Sequence, residues 1–402
     1  MKKTNLENWI CETEALPELT REGLETLQLK RLNEMLSRLV QQNRFYVNLP
    51  TRLECLRDLQ TLPFTTAEDI SAQPGKFLLT SQSDVSRVIS GATSGTTGPA
   101  KRVFYTDMDT EHTVGFFAAG ISEMLSQGEK CLIAFPFTGP FGLGDLIAKA
   151  VECLGGIPIK AGFGQTWGEL IDLVKDTVPE TYIGFPVTLL GLARMYGENF
   201  PIQRALVSGD ACPEGVIAEL EKHLGSRLYP HYGSRECGLG GAVTCPAHEG
   251  MHLRENHIIP EIIDENGNVL PDGEYGQLVI TTIGADAMPL LRYKTGDYTR
   301  ILPPCKCGGI TKRLDTVSRR DGEISIEDLD SACFRIEGLV DYRASLDESL
   351  TIEARTVCTS LEERIRSAVK SLYGDLEVVV HTSLCRHSDR PMYMGKRHIL
   401  RL

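Results

Sequence analysis

The sequence lacks an excess of positive charge. Its 402 residues include 42 lysines and arginines against 54 aspartates and glutamates, which gives a formal net charge of -12. This balance opposes binding to DNA, RNA or anionic lipid, because such polyanions are held mainly by cations. We therefore expect neither nucleic acid nor membrane among the partners, and an anionic ligand must be bound by a local group of cations.

Long hydrophobic runs are also missing. The longest uncharged apolar stretch, CLIAFPFTGPFGLG at 131–144, is too short to span a bilayer and is interrupted by proline and glycine. The N-terminal MKKTNLENWICETE has no apolar segment of the kind that a signal peptide needs. We therefore expect a soluble, cytoplasmic protein whose twelve cysteines are thiols or metal ligands rather than a disulfide framework.

The spacing of apolar residues predicts an α/β fold. Residues 17–47 and 110–126 have helical spacing, and residues 131–233 alternate short apolar strands with helices. This alternation indicates a largely parallel sheet covered by helices, with ligand loops at the carboxyl ends of its strands. Residues 251–302 change to strands and turns, which predicts an antiparallel or barrel-like β appendage.

The chain is too long for one compact core, so more than one domain is expected. Its last segment has its own pattern of strands around one helix, after the polar stretch RRDGE at 319–323. We predict a large N-terminal domain over 1–318, with mostly parallel helix-covered sheets plus the β appendage. A small C-terminal α+β domain is predicted over 319–402.

The stretch SGATSGTTGPAKR at 90–102 has a composition that does not form a core. It is not a Walker A phosphate loop, because Pro99 and Ala100 separate Gly98 from Lys101. Hydroxyls, exposed N–H groups and an ammonium nevertheless suit a polyphosphate that must be held and then released. An ordinary surface turn is the alternative interpretation. The predicted phosphate-binding residues are Ser94, Gly95, Thr96, Thr97, Gly98 and Lys101.

The segment SGTTGPAK resembles the signature loop of the adenylate-forming enzymes, which activate carboxylic acids with ATP. The surrounding sequence is similar to the phenylacetate-coenzyme A ligase branch of that family, in order and spacing, over roughly residues 20–320. The segments that carry the similarity are LPFTTAEDI at 62–70, FYTDMD at 104–109, YGSRECG at 232–238, HLRENHIIPEIID at 252–264 and MPLLRYKTGDYTRIL at 288–302.

This resemblance implies an ATP site whose residues are spread along the chain. Glu236 of YGSRECG would coordinate the Mg²⁺ that accompanies ATP, and Asp297 of RYKTGD would accept hydrogen bonds from the ribose hydroxyls. The segment VSGDACP is similar to one that lies against adenine. A solvated glutamate and a plain βα turn are the alternatives for the first and the third of these motifs. The motifs add Gly209, Asp210, Tyr232 and Gly233 to the nucleotide-binding residues.

The end of the chain, PMYMGKRHILRL, resembles the family's terminal G-K-x-x-R segment. The resemblance makes Lys396 the catalytic lysine, whose cation would stabilise the charge that develops on the α-phosphate. A solvated surface lysine is the alternative. Arg320 matches the arginine that opens the family's hinge and is a further catalytic candidate, although Arg319 precedes it where the family has glycine. Arg235 also departs from the pattern, since the family has Ser or Thr directly before the glutamate.

Two cysteine-containing segments predict a metal site. The segment CKCGG at 305–309 supplies Cys305 and Cys307, and CPAHEGMH at 245–252 supplies Cys245 and His252. Three thiolates and one imidazole would form a closed tetrahedral site, so the predicted ion is a structural Zn²⁺. Two unrelated surface loops with reduced thiols are the alternative.

These observations together predict an acid-thiol ligase that forms AMP. A carboxylic acid, aryl or arylalkyl in character, would attack the α-phosphate of MgATP to give an acyl-adenylate and pyrophosphate. Coenzyme A, as co-substrate, would then displace AMP and form a thioester. The acid would pack on Phe135, Phe137, Phe141 and Tyr232, although these rings are equally suited to a core. Delivery to a carrier-protein thiol and a catalytically inactive nucleotide-binding homologue are the alternatives, and a homodimer is left open.

Overall fold

The structure is a computed structural model that describes residues 4–42, 45–91, 101–139, 142–319, 322–374, 376–393 and 395–401. Ten α-helices lie within these described residues. In chain order they are α1 (Asn5–Thr13), α2 (Arg21–Gln42), α3 (Ala67–Ala72), α4 (Asp107–Ile121), α5 (Leu143–Cys153), α6 (Trp167–Thr177), α7 (Pro186–Tyr196), α8 (Glu214–Leu224), α9 (Ile326–Cys333) and α10 (Glu362–Tyr373).

Nineteen β-strands lie in the same described parts of the chain. The first seven are β1 (Arg87–Gly91), β2 (Lys101–Tyr105), β3 (Lys130–Ala134), β4 (Ile157–Lys160), β5 (Thr181–Gly184), β6 (Arg204–Val207) and β7 (Tyr229–Tyr232). The next eight are β8 (Ala242–Thr244), β9 (Met251–Leu253), β10 (Ile258–Ile263), β11 (Gly276–Thr282), β12 (Tyr293–Thr299), β13 (Ile301–Leu302), β14 (Arg313–Leu314) and β15 (Ser318–Arg319). The last four are β16 (Leu339–Leu346), β17 (Leu350–Thr356), β18 (Val378–Leu384) and β19 (Ile399–Arg401).

Several helices begin at a threonine followed three residues later by an acidic residue. Thr106 and Asp109 form such a capping box at α4, where the threonine hydroxyl and the aspartate each bind the other's backbone N–H. Asp109 also accepts hydrogen bonds from the backbone N–H groups of Asp286 and Ala287, at 2.8 and 3.0 Å. The cap therefore fixes the start of the helix and also ties it to the loop that precedes β12.

The described residues divide into two compact units that do not follow chain order. The first unit combines residues 1–123 with 231–319, and the second combines residues 124–230 with 320–402. The predicted division into domains over 1–318 and 319–402 is not the same as this division into compact units, and it remains a prediction.

The first unit is built mainly from antiparallel strands. A hairpin pairs β1 with β2, and residues 92–100 connect these strands outside the described residues. One sheet has the order β10-β11-β12-β15. In another sheet, the second half of β7 pairs with β8, and β9, β14 and β13 come next in that order. The prediction of antiparallel strands over 251–302 is confirmed by these pairings. Buried apolar side chains from α2 and from β10 to β12 form the core of this unit.

The second unit contains the predicted parallel sheet. Strands β4, β3, β5, β6 and the first half of β7 are all parallel, and one of the helices α5 to α8 connects each strand to the next along the chain. The α/β fold class is therefore confirmed. Strand β6 ends at Val207, so the segment VSGDACP lies at the carboxyl end of the sheet, where open α/β folds bind ligands. A four-stranded sheet, β18-β17-β16-β19, completes this unit with α9 and α10.

All twelve cysteines lie in the described part of the chain, and none of them forms a disulfide. No helix of the described residues has both the length and the apolar composition needed to cross a membrane.

Candidate active site and metal centre

Lys101 and Glu236 form a buried ion pair in the first unit. Side chains of β2 alternate between the core and the surface, and this alternation turns Lys101 inward, where the residue is 8% exposed. Its Nζ contacts Glu236 Oε1 and also donates a hydrogen bond to the Tyr293 hydroxyl at 2.8 Å. The structure thus brings together the last residue of the predicted phosphate loop and the predicted Mg²⁺ ligand. The other loop candidates, Ser94 to Gly98, lie outside the described residues.

The turn that carries Glu236 is held in place by neighbouring polar groups. Glu236 lies in a short 3₁₀ turn, Arg235–Cys237, which ends at Gly238 in a left-handed conformation with φ of 70°. The Tyr105 hydroxyl donates to the carbonyl oxygen of Arg235 at 2.5 Å, and the backbone N–H of Ser234 bonds the Cys237 thiol at 3.0 Å. Burial, followed by the Glu236 charge, raises the pKa of Tyr105 well above its usual value, so this hydroxyl keeps its proton and remains a donor.

Gly233 has no room for a side chain. A Cβ at this position would collide with the carbonyl oxygen of Leu239 and would approach the His231 ring to 2.9 Å. Glycine is therefore required here by close packing between β7 and the turn of Glu236.

Asp297 is a buried carboxylate with both oxygens occupied. The Tyr232 hydroxyl donates to Oδ2 at 2.7 Å, and Arg319 Nε donates to Oδ1 at 2.8 Å. Residues Asp297 and Arg319 are direct partners across β12 and β15. Burial and then the charge of Asp297 raise the pKa of Tyr232 well above its ordinary value, which keeps the phenol protonated. The carboxylate is thus oriented by a phenol and a guanidinium.

Arg319 contacts the predicted site residue Asp297 but was not selected as a site residue from the sequence. The sequence interpretation selected Arg320, which lies outside the described residues, whereas the arginine in contact with Asp297 is one position earlier. The short strand β15 sets this contact, and nothing in the local sequence pattern reveals a strand of two residues. The presence of two adjacent arginines was the only available signal.

Gly209 and Asp210 lie in the second unit, directly after β6. Gly209 has φ of +83°, and a Cβ there would approach ring atoms of Phe185 and Phe135 to 2.6 and 2.9 Å. Asp210 accepts backbone hydrogen bonds from Ala211 and Arg397, both at 2.9 Å. Burial raises the pKa of Asp210 to about 6, although the N–H of Arg397 opposes that shift. The predicted adenine segment is therefore bonded directly to the chain beside Lys396.

Lys396 is exposed and lies in the segment between β18 and β19. The third position after it, where the resemblance places an arginine, is Ile399. Arg397, directly next to the lysine, is buried instead.

Of the four predicted substrate aromatics, Phe135 is buried edge-on against Phe185, with ring centroids 4.9 Å apart, and Phe141 lies outside the described residues.

The four predicted zinc ligands meet in the first unit. Cys245 follows β8, His252 lies in β9, and Cys305 and Cys307 lie in the turn between β13 and β14. One ligand atom from each of these residues lies within 4.8 Å of all the others. The Cys245 and Cys305 sulfurs are 3.7 Å apart, and Cys307 Sγ is 3.4 Å from His252 Nε2.

This spacing fits a tetrahedral zinc ion. Bonds of about 2.3 Å to sulfur and about 2.0 Å to nitrogen place neighbouring ligand atoms about 3.5 to 3.8 Å apart. Backbone N–H groups of Ala247 and Gly309 point to the sulfurs of Cys245 and Cys307, where they would stabilise thiolates. The second nitrogen of His252, Nδ1, bonds the Thr311 hydroxyl at 2.8 Å, which orients the ring.

The chain is similar to known proteins. The sequence profile of the AMP-binding enzyme family matches residues 89–285. A phenylacetate-coenzyme A ligase from Pseudomonas putida is 30% identical in an alignment 361 positions long that covers 83% of this chain and 80% of that protein. A second phenylacetate-coenzyme A ligase, from Aromatoleum evansii, is 29% identical in an alignment 421 positions long that covers 94% of this chain and 93% of that protein.

A solved structure has the same fold. It is 2-hydroxyisobutyryl-CoA ligase in the postadenylation state, in complex with R3-HIB-AMP, and it matches with a TM-score of 0.80 at 18% identity. The match covers 96% of this chain and 90% of that one. At such low identity the likeness concerns the fold alone.

Proposed function

The chain belongs to the AMP-binding enzyme family, in the branch of the phenylacetate-coenzyme A ligases, and we propose that it joins an aryl or arylalkyl carboxylic acid to coenzyme A at the expense of ATP. The acid oxygen attacks the α-phosphate, and pyrophosphate leaves. The thiol of coenzyme A then attacks the acyl carbon, AMP leaves, and the thiol proton is released.

The buried pair of Lys101 and Glu236 carries this proposal. Each group neutralises the other, and breaking a buried ion pair by removing one partner typically costs about 3–5 kcal/mol. MgATP brings a phosphate for the lysine and a divalent cation for the carboxylate. Both residues therefore exchange one partner of opposite charge for another when MgATP binds.

Other predicted site residues also suit the reaction. Tyr293 holds Lys101 Nζ from a second direction, so the ammonium stays oriented when Glu236 turns to the metal. Asp297, held by Tyr232 and Arg319, presents a fixed carboxylate for the ribose hydroxyls. Lys396 would supply the cation that stabilises charge on the α-phosphate. Glu236 is the residue that would hold Mg²⁺, whose chemistry is to neutralise phosphate charge.

The four residues Cys245, His252, Cys305 and Cys307 would hold one structural zinc ion. With four protein ligands no coordination position is left for a substrate, so the ion would stabilise the fold of the first unit rather than act on the acid. A cytoplasmic location, which suits reduced thiols, and a homodimer stay predictions.

A panel of acids tests the function. ATP-pyrophosphate exchange is measured with phenylacetate, benzoate, 2-hydroxyisobutyrate and short aliphatic acids, and thioester formation is then measured with coenzyme A. We expect exchange with an aryl or arylalkyl acid and an acyl-CoA product. Exchange without any product from free coenzyme A would favour a carrier-protein thiol as acceptor. Absence of exchange with every acid would contradict the activity.

Glu236→Gln tests the role given to the ion pair. We expect exchange to fall by about 10²-fold or more, because the neutral amide is a poor Mg²⁺ ligand and leaves Lys101 without its partner. Raising the Mg²⁺ concentration should recover part of the loss.

The matched control is Glu261→Gln. Glu261 is also a buried glutamate of the first unit, and it pairs with Arg292 at 3.0 Å rather than with Lys101. This variant should lose stability while its Mg²⁺ dependence stays that of the parent. An equal change of Mg²⁺ dependence in both variants would contradict the assignment of Glu236.

A further inference from the structure

Arg397 follows Lys396 directly but lies in the opposite environment. Lys396 is exposed, whereas the side chain of Arg397 is only 2% exposed. The guanidinium donates to both oxygens of Asp330, at 3.1 and 3.0 Å, and to Asp341 Oδ1 at 3.0 Å. It also donates to the carbonyl oxygen of Tyr342 at 3.1 Å.

This network fixes one residue of an otherwise irregular segment. Burial lowers the pKa of Arg397, but Asp330, Tyr342 and Asp341 more than offset that effect, so the pKa lies well above its ordinary value and the side chain stays charged. The guanidinium further packs against the rings of Tyr342 and Tyr393, at 4.5 and 4.9 Å from their centroids. Movement of this side chain would leave two buried carboxylates without a cation, which is strongly unfavourable.

The backbone of Arg397 has a second anchor at the predicted adenine segment. Its N–H donates to Asp210 Oδ2 at 2.9 Å, while Asp210 Oδ1 accepts the N–H of Ala211 at the same distance. The carboxylate thus uses one oxygen to order its own loop and the other to hold the chain beside Lys396. An amide at this position could accept only one of these two bonds.

Both anchors belong to elements that are packed tightly together. Helix α8 begins just after the Asp210 loop, and α9 carries Asp330. The N–H of Gly215 in α8 bonds the Ser331 hydroxyl in α9 at 3.1 Å, and a Cβ on Gly215 would collide with the backbone of Ser331. Asp210 and Asp330 therefore hold Arg397 from one common frame within the second unit.

We propose that Arg397 and Asp210 are positioning residues that hold Lys396 at the nucleotide loop for formation of the acyl-adenylate. The inference rests on the proposed function, because it assumes that Lys396 acts on the α-phosphate. Arg397 is anchored by its side chain and by a backbone hydrogen bond, and these two anchors together would fix the position of its exposed neighbour, Lys396. Misplacement of a reacting group by about 1 Å can cost about 10²-fold in rate.

The test is a double-mutant cycle on the full-length enzyme. Arg397→Lys keeps a cation for Asp330 and Asp341 but cannot make the same set of bonds, and Asp210→Ala removes the backbone anchor. Each change is combined with Lys396→Ala, and the rate of ATP-pyrophosphate exchange and the KM for ATP are measured. We expect each single change to lower kcat by about 10-fold or more, and neither to lower it further once Lys396 is absent.

Arg194→Lys is the matched control. Arg194 is another buried arginine of the second unit, and it donates to the carbonyl oxygens of Leu339 and Phe334 and to Glu219. Its replacement should cost similar stability but leave the exchange rate per folded molecule unchanged. A similar loss of rate in this control would mean that general loosening of the unit, and not the position of Lys396, explains the effect.

Hydrogen exchange of the segment 395–401 gives a readout that does not need activity. The backbone N–H of Arg397 should be protected in the parent protein and should exchange at least about 10-fold faster in Asp210→Ala. Rapid exchange in the parent would overturn the inference. Equal loss of rate from Arg397→Lys with and without Lys396 would also overturn it, as would full activity of a folded Arg397→Lys. A parent protein that shows no ATP-pyrophosphate exchange but has a protected Arg397 amide would contradict the proposed function while leaving the anchor itself intact.

Discussion

Asp297 is a buried carboxylate that is oriented by a phenol on one oxygen and a guanidinium on the other. Tyr232→Phe removes the 2.7 Å hydrogen bond to Oδ2 without changing the shape of the ring. Because the acceptor is charged, we expect a loss of about 1.5–3 kcal/mol in the free energy of unfolding. The less ordered carboxylate should also bind the ribose more weakly. Denaturant unfolding and the KM for ATP measure the two effects.

Tyr182→Phe is the control for that change. Tyr182 is fully buried and donates to the carbonyl oxygen of Phe185 at 3.0 Å, so its replacement also removes one buried hydrogen bond. The acceptor is neutral, and we expect a loss of about 1 kcal/mol with an unchanged KM for ATP. An unchanged KM in Tyr232→Phe as well would contradict the role given to the phenol.

Single residues were predictable where a short motif carries them. Glu236 and Asp297 lie in motifs that are recognisable in the sequence, YGSRECG and RYKTGD, and the structure places each beside another predicted residue, Lys101 and Tyr232. The partners of Arg397 could not be predicted in this way. Asp330 and Asp341 precede it by 67 and 56 residues, and no local spacing indicates that three such distant side chains share a buried site.

At the scale of elements, the turn between β13 and β14 links the proposed metal centre to helix α1. Glu7 of α1 accepts hydrogen bonds from the backbone N–H groups of Ile310 and Thr311, at 2.5 and 3.0 Å. Thr311 also bonds His252 Nδ1 through its hydroxyl. The helix, the turn and the ligand are thus connected through one threonine.

Thr311→Ala should therefore weaken the metal site. The change leaves His252 without its partner, and loss of such a partner typically lowers metal affinity by about 10- to 100-fold. Competition of the zinc-loaded protein with a chromogenic chelator measures this affinity. Thr299→Ala removes another buried threonine of the same unit, which bonds the carbonyl oxygen of Asp315, and it should leave the affinity unchanged. Purified protein that takes up no zinc would refute the proposed centre itself.

The elements differ in how far the sequence predicted them. Strands β3 and β5 are short apolar runs that are almost wholly buried, and such runs were recognised between helices of clear amphipathic spacing. Helix α1 was missed, although Thr4 accepts a hydrogen bond from the N–H of Glu7, an arrangement whose Thr-x-x-Glu pattern is visible in the sequence. The two-residue strands β13, β14 and β15 have no periodicity to detect, because tertiary pairing alone defines them.

At the scale of the whole molecule, the grouping of segments was the least predictable property. Residues 320–402 share a compact unit with residues 124–230, and their apolar side chains form one buried cluster with α7 and α8. Val340 and Tyr342 of β16 are buried in that cluster. Composition marks each of these side chains as apolar, but it does not specify which distant segment each one contacts.

The two tryptophans of the chain allow each unit to be followed separately. Trp9 lies in α1 of the first unit, with its ring 5.2 Å from the Arg254 guanidinium, and Trp167 lies in α6 of the second unit and is 1% exposed. The variants Trp167→Phe and Trp9→Phe therefore leave one fluorescence reporter each. Since all four proposed zinc ligands and Glu7 belong to the first unit, removal of zinc should remove binding energy from that unit alone. We expect a chelator to lower the denaturant midpoint of the Trp9 signal and to leave that of Trp167 unchanged. Equal shifts of both midpoints would show that the units unfold together, and an unchanged Trp9 midpoint would contradict a stabilising metal.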